Sequence, residues 1–117
     1  MLDKLYLSML YYMQLAIANR KETKMSVVVV GGNDRMVTRY KDICESYKCK
    51  AKVFTQMPSD FENKLGTPDL MVVFTNTCSH KMVNSVNQKS RKYAIPVARI
   101  HNASANALKS VLEQYCS

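Results

Sequence analysis

The amino-acid sequence predicts an α/β domain, a three-layer Rossmann-like fold in which helices cover both faces of a four-stranded parallel sheet, preceded by an N-terminal helix. Three observations carry that expectation. Two runs, Val27-Val28-Val29-Val30 and Leu70-Met71-Val72-Val73-Phe74, are apolar without interruption, as strands covered on both faces require; half-exposed strands alternate instead. The segments between the strands carry apolar residues at three- and four-residue steps, the period of a helix with one buried face. Strand and helix patterns alternate along the chain, which argues a parallel sheet with right-handed crossovers.

The bulk properties agree. A chain of 117 residues suits one folded domain behind a short extension, with 1–24 as the extension and 25–117 as the α/β domain. Hydrophobic residues make up 47% and charged residues 22%, with 3 Gly and 3 Pro, which excludes a disordered or fibrous chain. The formal net charge of +8 favours acidic partners. The bases are scattered, however, and the densest group is Lys48-Cys49-Lys50-Ala51-Lys52. Nucleic-acid binding therefore rests on charge alone, without an aromatic-interleaved basic stripe. The four cysteines, at 44, 49, 78 and 116, match neither a zinc pair nor a redox Cys-x-x-Cys. They are expected to be free thiols in a cytoplasmic protein.

Residues 2–18 are rich in Leu, Met and Tyr and lack Gly and Pro, which predicts a helix. Ala16-Ile17-Ala18 imitates a secretory cleavage site, but Asp3 and the tyrosines spoil a signal sequence. The apolar stretch is too short for a transmembrane span. An amphipathic helix that packs on the domain, on a membrane surface or on a second copy is the better reading, with Tyr6, Tyr11 and Tyr12 suited to an interface and a homodimer as the expected assembly.

The first strand ends in Gly31-Gly32 and leads into a helix with Met36, Val37, Tyr40, Ile43, Cys44 and Tyr47 on its apolar face. Lys52-Val53-Phe54-Thr55 reads as a second, weaker strand, followed by a turn and a short helical passage over 61–65 that closes at Gly66. The third strand is 70–74. Ser79 is a suitable N-cap for a helix with Met82, Val83, Val86 and Tyr93 inward. Residues 95–100 form a fourth strand with Pro96 near its start. Ser104 caps a last helix bearing Ala107, Leu108, Val111, Leu112 and Tyr115. The expected strand order is 2-1-3-4.

In open α/β sheets, ligands bind beyond the carboxyl ends of the strands where the order reverses. Here that switch point joins Gly31-Gly32-Asn33-Asp34-Arg35 to Thr75-Asn76-Thr77-Cys78-Ser79-His80, with His101 alongside. Glycines let a backbone approach a ligand, and a helix N-terminus favours an anion. Arg35 can clamp a phosphate or carboxylate, while Asp34 suits either a ligand or the helix dipole. Thr75, Asn76, Thr77 and Ser79 offer hydroxyl and amide groups. Cys78 and His80, with His101 as a third, are candidate ligands for a metal or haem iron, and Cys78 beside a histidine is a candidate nucleophile.

These loops resemble the bacterial family catalogued as domain of unknown function 2325. The resemblance rests on Val-Val-Gly-Gly-Asn-Asp-Arg at 29–35, the apolar strand at 70–74 and Cys-Ser-His at 78–80, and covers residues 25–115. It implies a small Rossmann-like domain whose marked positions are Gly31, Gly32, Asp34, Arg35, Ser79 and His80. Asn33 stands where many members carry His, so a histidine role at that position does not transfer.

The first functional expectation is a sensor or accessory domain that binds a small anionic or nucleotide-like ligand at residues 31–35, Thr75, Asn76, Ser79 and His80. A metal or haem protein using His80 and Cys78 is an alternative, and a self-associating protein without a ligand is another. No combined acid, base and nucleophile set stands out, so the residues do not point to an enzyme.

Overall fold

The computed structural model describes residues 25–116. The helix expected over 2–18, and the self-association expected of it, lie outside the described residues.

Four strands form the sheet: β1 (Met25–Val30), β2 (Cys49–Phe54), β3 (Leu70–Phe74) and β4 (Val97–Ile100). All neighbours pair in parallel, in the order β2-β1-β3-β4. The expected architecture and strand order are therefore those observed. A 3-10 turn at Asp34–Met36 leads into helix α1 (Val37–Ser46); α2 (Phe61–Leu65), α3 (His80–Tyr93) and α4 (Ala105–Cys116) follow in turn.

The pleat sends alternate side chains of β1 and β3 to opposite faces. On one face Val27, Val29, Leu70, Val72 and Phe74 meet Tyr40, Ile43 and Cys44 of α1 and Leu108, Val111 and Leu112 of α4. On the other, Val28, Val30, Met71 and Val73 meet Phe61 and Leu65 of α2 and Met82 and Val86 of α3. Every residue of β3 is buried, which is why its sequence is apolar at each position. Burying each such side chain stabilises the fold by roughly 1.5–3 kcal/mol before conformational entropy is counted.

The edge strands differ. In β2 the burial alternates, with Lys50 and Lys52 exposed and Cys49 buried. That weakens the apolar signal, and the strand begins at Cys49, three residues before the start expected from sequence. β4 begins at Val97 rather than Ile95. Pro96 has no N–H to give the ladder, but its carbonyl accepts from Met71 N at 3.0 Å.

Two predicted caps form. Ser79 Oγ accepts from Met82 N at 3.2 Å, and Ser104 Oγ accepts from Ala107 N at 3.1 Å. Two aromatic residues depart from expectation, since Tyr93 is 47% and Tyr115 is 44% exposed. Tyr93 is the last residue of α3; Ala94 then turns left-handed at φ 54°, and Ile95 takes the buried place instead. The exposed Tyr93 ring receives the Lys89 and Lys92 ammonium groups at 5.0 and 5.5 Å. Tyr115 lies one turn beyond Leu112, past the buried part of the helix stripe. Cys78 is a half-buried free thiol, and Cys44 and Cys49 lie buried in the core. Among the described residues no helix is long and apolar enough to cross a membrane.

The amino ends of the two central strands are held by a reciprocal pair. Ser26 N donates to Asp69 Oδ2 at 2.7 Å, and Asp69 N donates to Ser26 O at 2.8 Å. A carboxylate at this position therefore helps fix the register of β1 against β3. Asp69→Ala is expected to cost about 1–2 kcal/mol, while Asp69→Asn, which keeps an acceptor oxygen, loses less than half of that. Urea denaturation of the two variants tests the ranking, which equal losses would contradict.

Candidate functional site

The carboxyl ends of β1 and β3 come together as the strand order requires. Gly31 and Gly32 have φ of +96° and +90°, where a side chain is strained. A Cβ at Gly31 would stand 2.7 Å from Cys78 Sγ and 2.8 Å from Thr77 Oγ1. One at Gly32 would stand 2.7 Å from the Tyr40 ring. The double glycine is thus required twice over, by backbone angle and by lack of space. Gly31 N donates to Phe54 O at 2.8 Å, and Gly32 N donates to Thr77 Oγ1 at 2.6 Å. The Thr77 hydroxyl in turn donates to Phe74 O at 3.2 Å, and the Cys78 thiol to Val30 O at 3.3 Å. These contacts bind the exit of β1 to the exit of β3.

Tyr40 brings in a third loop. Its ring is buried against Phe74, with centroids 5.3 Å apart. Its hydroxyl donates to Ala103 O at 2.6 Å, in the loop between β4 and α4, and accepts from the backbone N–H of Asn33. Burial raises the phenol pKa more than the Asn33 bond lowers it, so Tyr40 stays protonated and keeps its donor. Thr75 N donates to Ile100 O at 2.8 Å and Asn76 N to His101 O at 3.3 Å, which fastens the β3 exit to the β4 exit.

This scaffold uses several of the residues expected to face a ligand. Asn33 Oδ1 accepts from Arg35 N at 3.0 Å, and Asn33 O accepts from Met36 N at 2.8 Å. The main-chain N–H groups of residues 31, 32, 33, 35 and 36 all have acceptors within the protein. The loop is therefore not an open phosphate cradle. The Asp34 carboxylate accepts from the Thr55 hydroxyl and, at 3.4 Å, from Gln56 Nε2, which ties this loop to the end of β2. Ser79 is engaged as a helix cap.

The remaining groups face outward. Arg35, Asn76, His80 and His101 are exposed, and none of their side chains has a hydrogen-bond or ion-pair partner among the described residues. They form a polar rim with basic character at the carboxyl edge of the sheet. Among the described residues no group of three or more His, Cys, Asp or Glu side chains is placed to hold a metal ion. The set expected from Cys78, His80 and His101 does not assemble, because the Cys78 thiol turns inward beneath Gly31. Burial also pushes the Cys78 thiol pKa up, against the smaller downward pull of its bond with the Phe74 backbone. A thiol in that state is a poor metal ligand or nucleophile at neutral pH.

Sequence reasoning missed the structural weight of Tyr40, Thr77 and Thr55. Tyr40 sits on the apolar stripe of α1, and periodicity records only its ring. Thr77 is one of several hydroxyls in its loop, and only the packing of Gly32 distinguishes it.

Tyr40→Phe is expected to cost about 1–2 kcal/mol through loss of its hydroxyl bonds, and Gly32→Ala about 2–4 kcal/mol through positive φ and contact with the ring. Chemical denaturation checks that order. Native Cys78 is expected to alkylate with iodoacetamide at pH 8 at least roughly tenfold more slowly than the same thiol in urea, because burial and a raised pKa both limit the thiolate. Peptide mapping of the alkylated sites reads this out, and equal rates would contradict it.

The comparisons bear on fold and family. Two de novo designed proteins are similar in structure. The design titled Rossmann fold protein ROS2_835 superposes with a TM-score of 0.56 at 10% identity, over 81% of this chain and 99% of its own. Rossmann fold protein ROS2_36830 gives 0.54 at 15% identity, over 79% and 97%. At such identities the likeness speaks for the fold alone. No curated protein matches the chain. The model of the family described as "Uncharacterized protein conserved in bacteria (DUF2325)" matches residues 26–115. That span takes in the four strands apart from Met25, the double glycine and the Ser79-His80 pair; the chain is a member of the DUF2325 family.

Proposed function

We propose that this chain is a small ligand-binding domain, a sensor or accessory protein of the cytoplasm, that takes an anionic or nucleotide-like ligand on the rim above β1 and β3. One observation carries the reading: Arg35 and His80 stand exposed and without partners among the described residues, next to loops that are tied down by hydrogen bonds. Rigid support under free polar groups is what a binding site needs, because little ordering entropy is then spent on binding.

The division of labour follows from the geometry. Since the N–H groups of residues 31, 32, 35 and 36 are satisfied internally, recognition falls mainly to side chains. Arg35 supplies a fork for a phosphate or carboxylate. His80, at the first turn of α3, adds a ring donor beside the positive end of that helix. Asn76 and His101 reach the same edge from the β3 and β4 exits. Gly31, Gly32, Asn33, Asp34, Thr75 and Ser79 act as the frame that sets these groups.

Thermal unfolding in the presence of inorganic phosphate, mononucleotides and dinucleotides tests the proposal. A ligand at tenfold its Kd adds about 1.4 kcal/mol, which raises the Tm of a domain this size by roughly 5–10 °C. Arg35→Ala and His80→Ala are expected to abolish that shift while leaving the ligand-free Tm within about 2 °C, as exposed substitutions do. No shift from any of these compounds, or a shift that survives both substitutions, would overturn the reading.

A further inference from the structure

At the far edge of the sheet from β4, strand β2 leaves one side of its backbone unpaired among the described residues. Phe54 O accepts from Gly31 N, so the main-chain groups of Phe54 point toward β1. By the two-residue alternation of a strand, those of Ala51 and Val53 point away from the sheet. A groove of about 400 Å³ runs along this edge, lined by Lys41, Ala51, Lys52, Val53, Phe54 and Lys64, among others.

The charges around the groove have one sign. Among the described residues three lysines line it and no carboxylate does. Lys41 comes from α1 on one face of the sheet, while Lys64 comes from α2 on the other. Lys52 is aligned with Val28, whose side chain faces α2, and its ammonium reaches Lys64 O at 3.5 Å. Lys52 is thereby held at the groove by the carboxyl end of a helix. An open strand edge is bracketed by cations on both faces, with half-buried Ala51 and Val53 between them.

Edge lysines commonly prevent sheets from pairing with copies of themselves. The same arrangement selects a strand of opposite charge, because repulsion removes basic partners and leaves acidic ones. We propose that the β2 edge is a docking site for an extended acidic peptide segment, which adds a fifth strand beside β2. The main chain of Ala51 and Val53 pairs with the peptide backbone, as in other cases of strand addition. Acidic side chains that alternate to the two faces meet Lys41 on one side and Lys52 and Lys64 on the other. The site is separate from the rim at the carboxyl ends of the strands, so the two proposals stand or fall independently.

A fluorescein-labelled hexapeptide Glu-Val-Glu-Glu-Val-Glu, which places carboxylates on both faces of a strand, is the probe. Fluorescence anisotropy is expected to show saturable binding to the full chain that weakens at least roughly tenfold in the Lys52→Glu, Lys64→Glu double variant. Both lysines are exposed, so the variant is expected to fold, and its Tm checks this. A hexapeptide N-methylated at every internal backbone nitrogen is expected to bind at least roughly tenfold more weakly, since neither of its edges can then pair. Absence of saturable binding overturns the proposal. Equal affinity of the N-methylated peptide, tighter binding of an oligothymidylate of the same charge, or an equal loss in Lys109→Glu on α4 would each overturn it as well, by reducing the contact to charge alone.

Discussion

The site depends on the absence of two side chains. Gly31 and Gly32 let the end of β1 lie directly against Thr77, Cys78 and the Tyr40 ring, in a space where a Cβ would stand under 3 Å from its neighbours. Because the backbone can come that close, Gly32 N reaches Thr77 Oγ1 and Gly31 N reaches Phe54 O. The exits of β1, β2 and β3 are thereby joined at one point. Tyr40 adds the fourth exit through Ala103. One tight contact thus makes four loops a single platform, and the exposed basic groups above it inherit its rigidity.

That platform has a chemical consequence. In many phosphate-binding loops the glycines open main-chain N–H groups to the ligand. Here the N–H groups of residues 31, 32, 35 and 36 are taken up by the protein, and the Asp34 carboxylate is drawn to Thr55 and Gln56. The glycines serve close packing between loops, and whatever meets the rim meets side chains. The half-buried Cys78 thiol belongs to the packing as well, since it bonds Val30 O under Gly31. The two central strands supply the rest of the rigidity. Both are apolar on each face and covered by helices, so their carboxyl ends have little room to shift.

The two edges of the sheet are treated differently. The carboxyl edge gathers loop residues with hydrogen-bonding heads, whereas the lateral edge at β2 presents lysines and an open ladder. Lys52 contributes to both structure and surface, because its stem lies along the strand and its ammonium meets the end of α2. The excess of positive charge in the composition therefore has local expression at this edge, although no dense basic run announces it.

The fold was legible in the sequence because its signals are local and repetitive. Unbroken apolar runs at 27–30 and 70–74 require cover on both faces, and the helical spacing between strands supplies that cover. Ser79 and Ser104 mark helix starts through bonds that span three residues. Right-handed crossovers with helices on both faces narrow the possible strand orders, and the expected order 2-1-3-4 is the one observed. Signals failed where burial is partial: β2 alternates, so its first residues give no strand signal within the basic cluster, and Tyr93 follows the apolar stripe of a helix that ends before the ring is covered. The site was legible only as a place. That two polar loops meet at the switch point follows from strand order, but which groups remain free there depends on partners 21 to 63 residues away in sequence, such as Thr55 for Asp34, Thr77 for Gly32 and Ala103 for Tyr40. Periodicity and capping are properties of neighbouring residues, and the sequence alone determined what rests on them. The pairing of a hydroxyl with a distant carbonyl is a property of packing, and only the tertiary structure decided it.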